Sequence, residues 1–177
     1  YLEDFHSFLQ EVVLPRTGRP DLLMGHSMGG HILTRYLHRY PAAADRAILV
    51  APMTKINTGA APEAIMFRIA DNACRLGLSR EYAVSQHGHN DKNEDFRNNR
   101  LTTDLSRFRA SIAPIHINPD LALGGITYGW LSAAIRSMRK ARKAAYLRKI
   151  ITPIMLVSAA DDRVVDSNDH VTVAKRL

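Results

Sequence analysis

The sequence predicts an α/β fold: a parallel sheet with flanking helices, interrupted by a long helical insertion. Three observations carry this. A short apolar run, a helical pattern and a second apolar run follow one another between residues 22 and 53. Strand-like runs then largely disappear from residue 54 to about residue 150. A third apolar run, "ITPIMLVSAADD" at 151–162, restores the strand pattern.

Each element has a local reason. In "YLEDFHSFLQEVVL" (1–14), Leu2, Phe5, Leu9 and Val12 recur at helical spacing, and "PRTGRPD" is expected to break that helix. "LLM" before Gly25 reads as a buried strand, and "GGHILTRYLHR" (29–39) as a helix ending before Pro41. "RAILVAPM" (46–53) reads as a second buried strand, so the strand, helix and strand form a parallel βαβ unit. Pro153 stands at the start of the third strand, where a missing N–H is tolerable. "SNDHVTVAKRL" opens a further helix with Ser167 as its expected N-cap. The insertion alternates helical patterns with polar loops such as "SQHGHNDKNEDFRNNR". It is far longer than an ordinary connection, so it should be a cap with structure of its own. The expected organisation is core at 1–53, helical cap at 54–150 and core again at 151–177.

Composition narrows the function. The chain has 177 residues, 46% hydrophobic and 23% charged, which suits one domain with one sizeable core or part of a larger one. Its one cysteine, Cys74, excludes an internal disulfide and a cysteine-based zinc site. No signal peptide and no apolar run approaching a membrane span is read in these residues, which begin at Tyr1; a cytoplasmic location is the expectation. The net charge of +7 is local. Residues 131–177 hold ten Lys/Arg against four Asp/Glu, while the two preceding stretches are nearly balanced.

"GHSMG" at 25–29 matches G-x-S-x-G between a strand and a helix. A serine hydroxyl is a poor nucleophile and must be presented to a base and an acyl carbon. A sharp strand-to-helix turn does this for Ser27. It crowds the backbone on either side, which suits Gly25 and Gly29, and it aims free N–H groups of the next helix at the same point. The Met28 N–H is then a natural oxyanion donor, helped by the helix dipole. Gly30 suits a close approach of helix to sheet. The plainer alternative is a glycine-rich turn with an incidental serine.

"GHSMGG" followed by a helix and "AILVAPM" resembles the α/β-hydrolase superfamily. Three further stretches resemble its bacterial lysophospholipase and monoacylglycerol-lipase-like branch, of serine aminopeptidase S33 type. "NNRLTTDLSRF" (98–108) and "LALGGITYGWLSAA" (121–134) are similar to the cap of bacterial lysophospholipases, and "MLVSAADDRVVDSN" (155–168) to their acid-bearing segment. The resemblance implies a partial α/β-hydrolase fold with the three strands as sheet neighbours, one of them exposing an edge. It also implies acyl transfer to water through an acyl-Ser27 intermediate, with no cofactor and no metal. A serine at the elbow argues against the aspartate-nucleophile chemistries of the same fold.

Asp161, Asp162 and Asp166 all follow the third strand. The resemblance places the triad acid at Asp162, with Asp161 as runner-up. His170 falls where the next helix should begin, too early for the base that the resemblance implies. His87 and His89 form an H-x-H pair without further ligand spacing, so loop polarity is the better reading. His26, His31 and His38 read as packing or surface residues. The resemblance therefore implies a catalytic histidine beyond Leu177 and a second oxyanion donor before Tyr1. By that reading the chain is a fragment lacking both ends, with little or no esterase activity of its own.

Residues 131–147 place Leu131, Ala134, Ile135, Met138, Ala141 and Ala145 on one helical face. Seven Lys/Arg and no acid fall between 136 and 149. Such a helix suits an anionic membrane surface, here through Arg139, Lys140, Arg142 and Lys143, and would place the protein peripherally at the inner membrane. The alternative is a cap helix that packs its apolar face and solvates its charges. "APEAIMFRIADNACRLGL" (61–78) offers a second apolar face, for an acyl-chain channel or for ordinary cap core. Nucleic acid is not expected, because aromatics are not interleaved with the basic run as stacking platforms. Lipid-like esters are the expected substrates. A proline-iminopeptidase-like peptidase of the same fold and a non-catalytic binding protein on this scaffold are the alternatives.

Overall fold

The computed structural model describes residues 1–59, 61–90 and 94–177. Part of the polar stretch "SQHGHNDKNEDFRNNR", residues 91–93, lies outside the described residues. The described chain divides into two compact units, Tyr1–Asn57 with Ser137–Leu177, and Thr58–Arg136.

The first unit is built on a three-stranded parallel sheet in the order β1-β2-β3. Its strands are β1 (Leu22–His26), β2 (Arg46–Val50) and β3 (Ile154–Val157). Their positions agree with the three apolar runs, and the strands are neighbours as the resemblance implies. Leu23 pairs with Ala47, Gly25 with Leu49, and Leu49 in turn with Leu156. Side chains alternate across the sheet, so these residues share one face. That face meets Leu33 and Leu37 of α3 (Met28–Arg39), together with Leu147, Ile150 and Val173. Leu49 is fully buried at the centre. Burial of one such leucine stabilises the fold by about 2 kcal/mol. On the other face Leu22, Met24, Met155 and Val157 are exposed.

The N-terminal helix breaks inside "PRTGRPD" as expected, at its glycine. Helical backbone does not stop before Pro15. It runs from α1 (Leu2–Phe8) through a π-helical turn at Leu9–Val13 into α2 (Leu14–Thr17), and ends at Gly18 with φ 73°. Pro15 sits in the first turn of α2, where its missing N–H costs little, directly after the π turn shifts the hydrogen-bond register. Phe5 packs edge-on against Tyr36 of α3, ring centroids 4.8 Å apart.

The second unit holds α4 (Glu63–Arg75), α5 (Leu105–Ile117) and most of α6 (Tyr128–Ala141), with short 3₁₀ turns at Phe96–Asn98 and Pro119–Leu121. Among its described residues there is no strand, only an isolated antiparallel bridge between Tyr82 and Thr127. Asp104 caps α5, its Oδ1 accepting from the Ser106 and Arg107 N–H groups at 2.7 and 3.0 Å. Asp71 accepts from Arg136 Nη2 at 2.7 Å. His89 and His116 both contact Glu94, at 3.0 and 2.7 Å, and no group of three potential ligands is placed to hold a metal among the described residues.

Along α6 the spacing-predicted face is buried at Leu131, Ala134, Ile135, Met138 and Ala141. Ala145 falls in the following α7 (Ala144–Leu147) and is exposed. The last helix, α8 (Ser167–Ala174), is capped by Asp166, whose side chain accepts from the Asn168 N–H, and not by Ser167. A carboxylate already fixed beside the helix start takes the cap in place of the serine one residue on. No described helix is long and apolar enough to cross a membrane.

Candidate active site

Parallel strands put their C-terminal ends at one sheet edge, and ligand sites of open α/β sheets form there. Ser27 follows β1, the loop Ala51–Thr54 follows β2, and Asp162 lies in the loop after β3. Backbone hydrogen bonds lace these segments together. The Ser27 N–H donates to the Val50 carbonyl at 2.9 Å, the Ala51 N–H to the Val157 carbonyl at 2.7 Å, and the Met53 N–H to the Ser27 carbonyl at 2.9 Å.

Ser27 has φ 51° and ψ −117°, a conformation that costs a non-glycine residue about 1–3 kcal/mol. It serves as N-cap of α3 without using its hydroxyl for the cap. Among the described residues neither Ser27 Oγ nor the Met28 N–H has a hydrogen-bond partner. Ser27 is half-buried. The site thus holds a hydroxyl and a helix N–H side by side, both unspent. Ala51, at the end of the neighbouring strand, also has positive φ, 41°. The sequence gives no sign of it, because nothing in alanine marks a strained position.

The elbow glycines divide in a way that G-x-S-x-G does not reveal. A Cβ at Gly25 would lie 2.7 Å from the Gly29 carbonyl oxygen and 2.9 Å from Gly30 Cα, inside the first turn of α3. A Cβ at Gly30 would lie 2.9 Å from Pro52 Cβ. At Gly29 a Cβ would meet nothing within 4 Å, so the crowding expected there falls on Gly30. Helix α3 approaches the sheet through Gly25 and Gly30, and this close approach delivers its N-terminus to Ser27.

The three acid candidates separate by their partners. Asp166 receives Lys55 Nζ on Oδ2 at 2.7 Å and caps α8. The Lys55 hydrogen bond holds its carboxyl below the usual range. Asp161 is exposed. Asp162 is half-buried, with Oδ1 accepting from the Val164 and Val165 N–H groups, each at 2.8 Å. Both of those bonds fall on one oxygen. The turn is fixed in place by the Ile56–Val165 bridge and by the Asn57 N–H donating to Val164 O at 2.8 Å.

Two buried histidines lie within this unit. His31 is 5% exposed and its Nε2 meets Ser137 Oγ at 2.7 Å, a hydroxyl that also accepts from Arg35 at 2.8 Å. Burial, then Arg35 and Arg142, pushes His31 down to about 4. A folded pKa below the unfolded value means that the unfolded chain binds the extra proton first. Stability is therefore expected to fall by about 2 kcal/mol between pH 7 and pH 5 through this group. Urea unfolding of the full-length protein at the two pH values checks this, and His31→Gln should remove most of the difference. His170 is 1% exposed, with both ring nitrogens engaged inside the fold. A ring held so cannot turn to serve as the base, in line with its place in the sequence.

The parallel sheet with its flanking helices is a partial α/β-hydrolase fold. From residue 1 to residue 177 the chain matches the family described as serine aminopeptidase, S33, and it belongs to that family. It is 29% identical over 174 residues to lysophospholipase L2 of Escherichia coli K12, covering 96% of this chain and 49% of that protein. The chain spans about half the length of the curated relatives it matches. In structure it is similar to the monoacylglycerol lipase of Paleococcus ferrophilus, with a TM-score of 0.68 at 16% identity over 99% of this chain and 61% of that one. A soluble variant of Saccharomyces cerevisiae monoglyceride lipase gives 0.67 at 17% identity, over 99% and 55%. At these identities the structural likeness shows the fold.

Proposed function

We propose that this chain carries the nucleophile and acid of a serine hydrolase that cleaves lipid-like acyl esters, of lysophospholipase or monoacylglycerol-lipase type. The observation that carries the reading is Ser27: a hydroxyl at positive φ, unspent, beside the unspent Met28 N–H. In the proposed reaction Ser27 Oγ attacks the acyl carbon as a histidine takes its proton. The oxyanion forms against the Met28 N–H. The ester C–O bond breaks, the alcohol leaves with the proton, and water then releases the acid from the acyl-serine. Asp162 accepts the imidazole N–H and stabilises the imidazolium, its second oxygen being the one its own loop does not engage. The base is a histidine, and among the described residues none is hydrogen-bonded to Ser27 or Asp162. Gly25 and Gly30 are assigned to the close approach of α3 to the sheet, Gly29 to the opening of the helix, and the segment inserted between β2 and β3 to a cap.

The relatives named lysophospholipase and monoacylglycerol lipase favour an ester over a peptide substrate. Initial rates of the full-length protein on a lysophospholipid, a monoacylglycerol and a prolyl-anilide test this. Turnover of either lipid ester at least about tenfold above the anilide is expected, and the reverse order would favour the peptidase reading.

Lys140 and Lys143 are exposed, which supports contact with an anionic bilayer by this basic segment, with Arg139 and Arg142 half-buried beside them. The apolar face of α6 is buried, so the attraction is one of charge alone. Binding to anionic vesicles should fall steeply with salt. Binding that salt does not change would contradict it.

A further inference from the structure

His170 is the second member of a chain of hydrogen bonds that runs from Ser158 to the main-chain carbonyl of the candidate nucleophile. Ser158 Oγ meets His170 Nδ1 at 2.7 Å, and His170 Nε2 meets the Pro52 carbonyl oxygen at 2.8 Å. A carbonyl only accepts, so Nε2 carries the proton, and in the neutral ring Nδ1 accepts from the Ser158 hydroxyl. The Pro52 carbonyl belongs to the same peptide group as the Met53 N–H, which donates to the Ser27 carbonyl at 2.9 Å. That single peptide is therefore held on both sides, by His170 and by the Thr54 N–H (2.7 Å) at its oxygen and by the Ser27 carbonyl at its nitrogen, a carbonyl that also accepts from the His31 N–H at 3.2 Å. Its neighbours leave little slack. Ala51, one residue before, is at φ 41°, and the Pro52 ring fills the space where Gly30 lacks a Cβ. Ser158 at the outer end is exposed, whereas His170 is 1% exposed, and hydrogen bonds arranged head to tail inside a fold strengthen one another from His170 inward.

We propose that His170 is a positioning residue for Ser27. It orients the Pro52–Met53 peptide so that the Met53 N–H fixes the Ser27 carbonyl, and thereby the unusual backbone conformation that presents Ser27 Oγ. Ser158 fixes the tautomer that lets His170 donate. The inference rests on Ser27 being the nucleophile, but the clamp itself is readable without activity.

The test combines amide hydrogen exchange at Met53 and Ser27 with ester-hydrolysis kinetics, in the full-length protein and in His170→Phe, His170→Gln and Ser158→Ala. His170→Phe is expected to speed exchange at Met53 about tenfold and to lower kcat about tenfold, with KM held within about twofold. His170→Gln keeps an N–H donor for the Pro52 carbonyl and should recover most of both. If His170→Phe does not fold, Ser158→Ala decides, with about threefold faster exchange at Met53 expected. Unchanged exchange and kcat in a folded His170→Phe, or no recovery in His170→Gln, would overturn the proposal, as would unchanged exchange in Ser158→Ala. Exchange that responds as expected in a protein without esterase activity would support the clamp and count against the ester-hydrolase reading alone.

Discussion

Replacing Ser27 with alanine is expected to lower ester hydrolysis by the full-length protein at least about 10³-fold while leaving the fold intact. The hydroxyl has no hydrogen-bond partner among the described residues, so its removal leaves no buried group unsatisfied. Alanine meets the same backbone strain as serine at φ 51°, so the elbow keeps its shape. The loss should therefore appear in kcat, with the thermal midpoint within about 2 °C of the parent. A variant that kept a tenth of the activity would place the chemistry elsewhere.

Gly25→Ala is expected to be the most damaging small substitution in the sheet. Its Cβ would come within 2.7 Å of the Gly29 carbonyl oxygen and 2.8 Å of the carbonyl carbon, both main-chain atoms of α3. Main chain cannot swing aside as a side chain does, so the helix must move off the sheet and away from the Ser27 turn. A cost of about 3 kcal/mol or more follows. Gly29→Ala is the internal control. Its Cβ meets nothing within 4 Å, and alanine favours a helix over glycine, so stability should stay level or rise by up to about 1 kcal/mol. Urea denaturation of both variants checks the pair. Equal effects would mean that the helix does not approach the sheet as described.

These two glycines also show what the sequence could reveal. The strands were legible because β1, β2 and β3 are short apolar runs, and α3 because its pattern fills a buried face through Leu33 and Leu37. G-x-S-x-G marked the turn and its serine. It did not tell which flanking glycine bears the crowding, since that depends on Pro52 arriving from the next strand. "PRTGRPD" marked the helix end, but not which of its residues makes it: the cost of Pro15 depends on its place in a turn, and the π-helical segment before it leaves no apolar signature. The candidacy of Asp162 came from resemblance alone, whereas what sets Asp166 apart from it is an ion pair with Lys55 across 111 residues. The clamp at His170 was not legible at all. It joins residues 118 apart through a main-chain carbonyl, and no side-chain pattern records a carbonyl.

The central claim is that Ser27 becomes acylated. Its most direct test is to treat the full-length protein with a fluorophosphonate, digest it, and locate the added mass by tandem mass spectrometry. The account predicts one modified residue, Ser27, in the peptide spanning "DLLMGHSMGGHI", with no label in the Ser27→Ala variant. Label on another serine, or an active protein in which Ser27 stays unmodified, would contradict it.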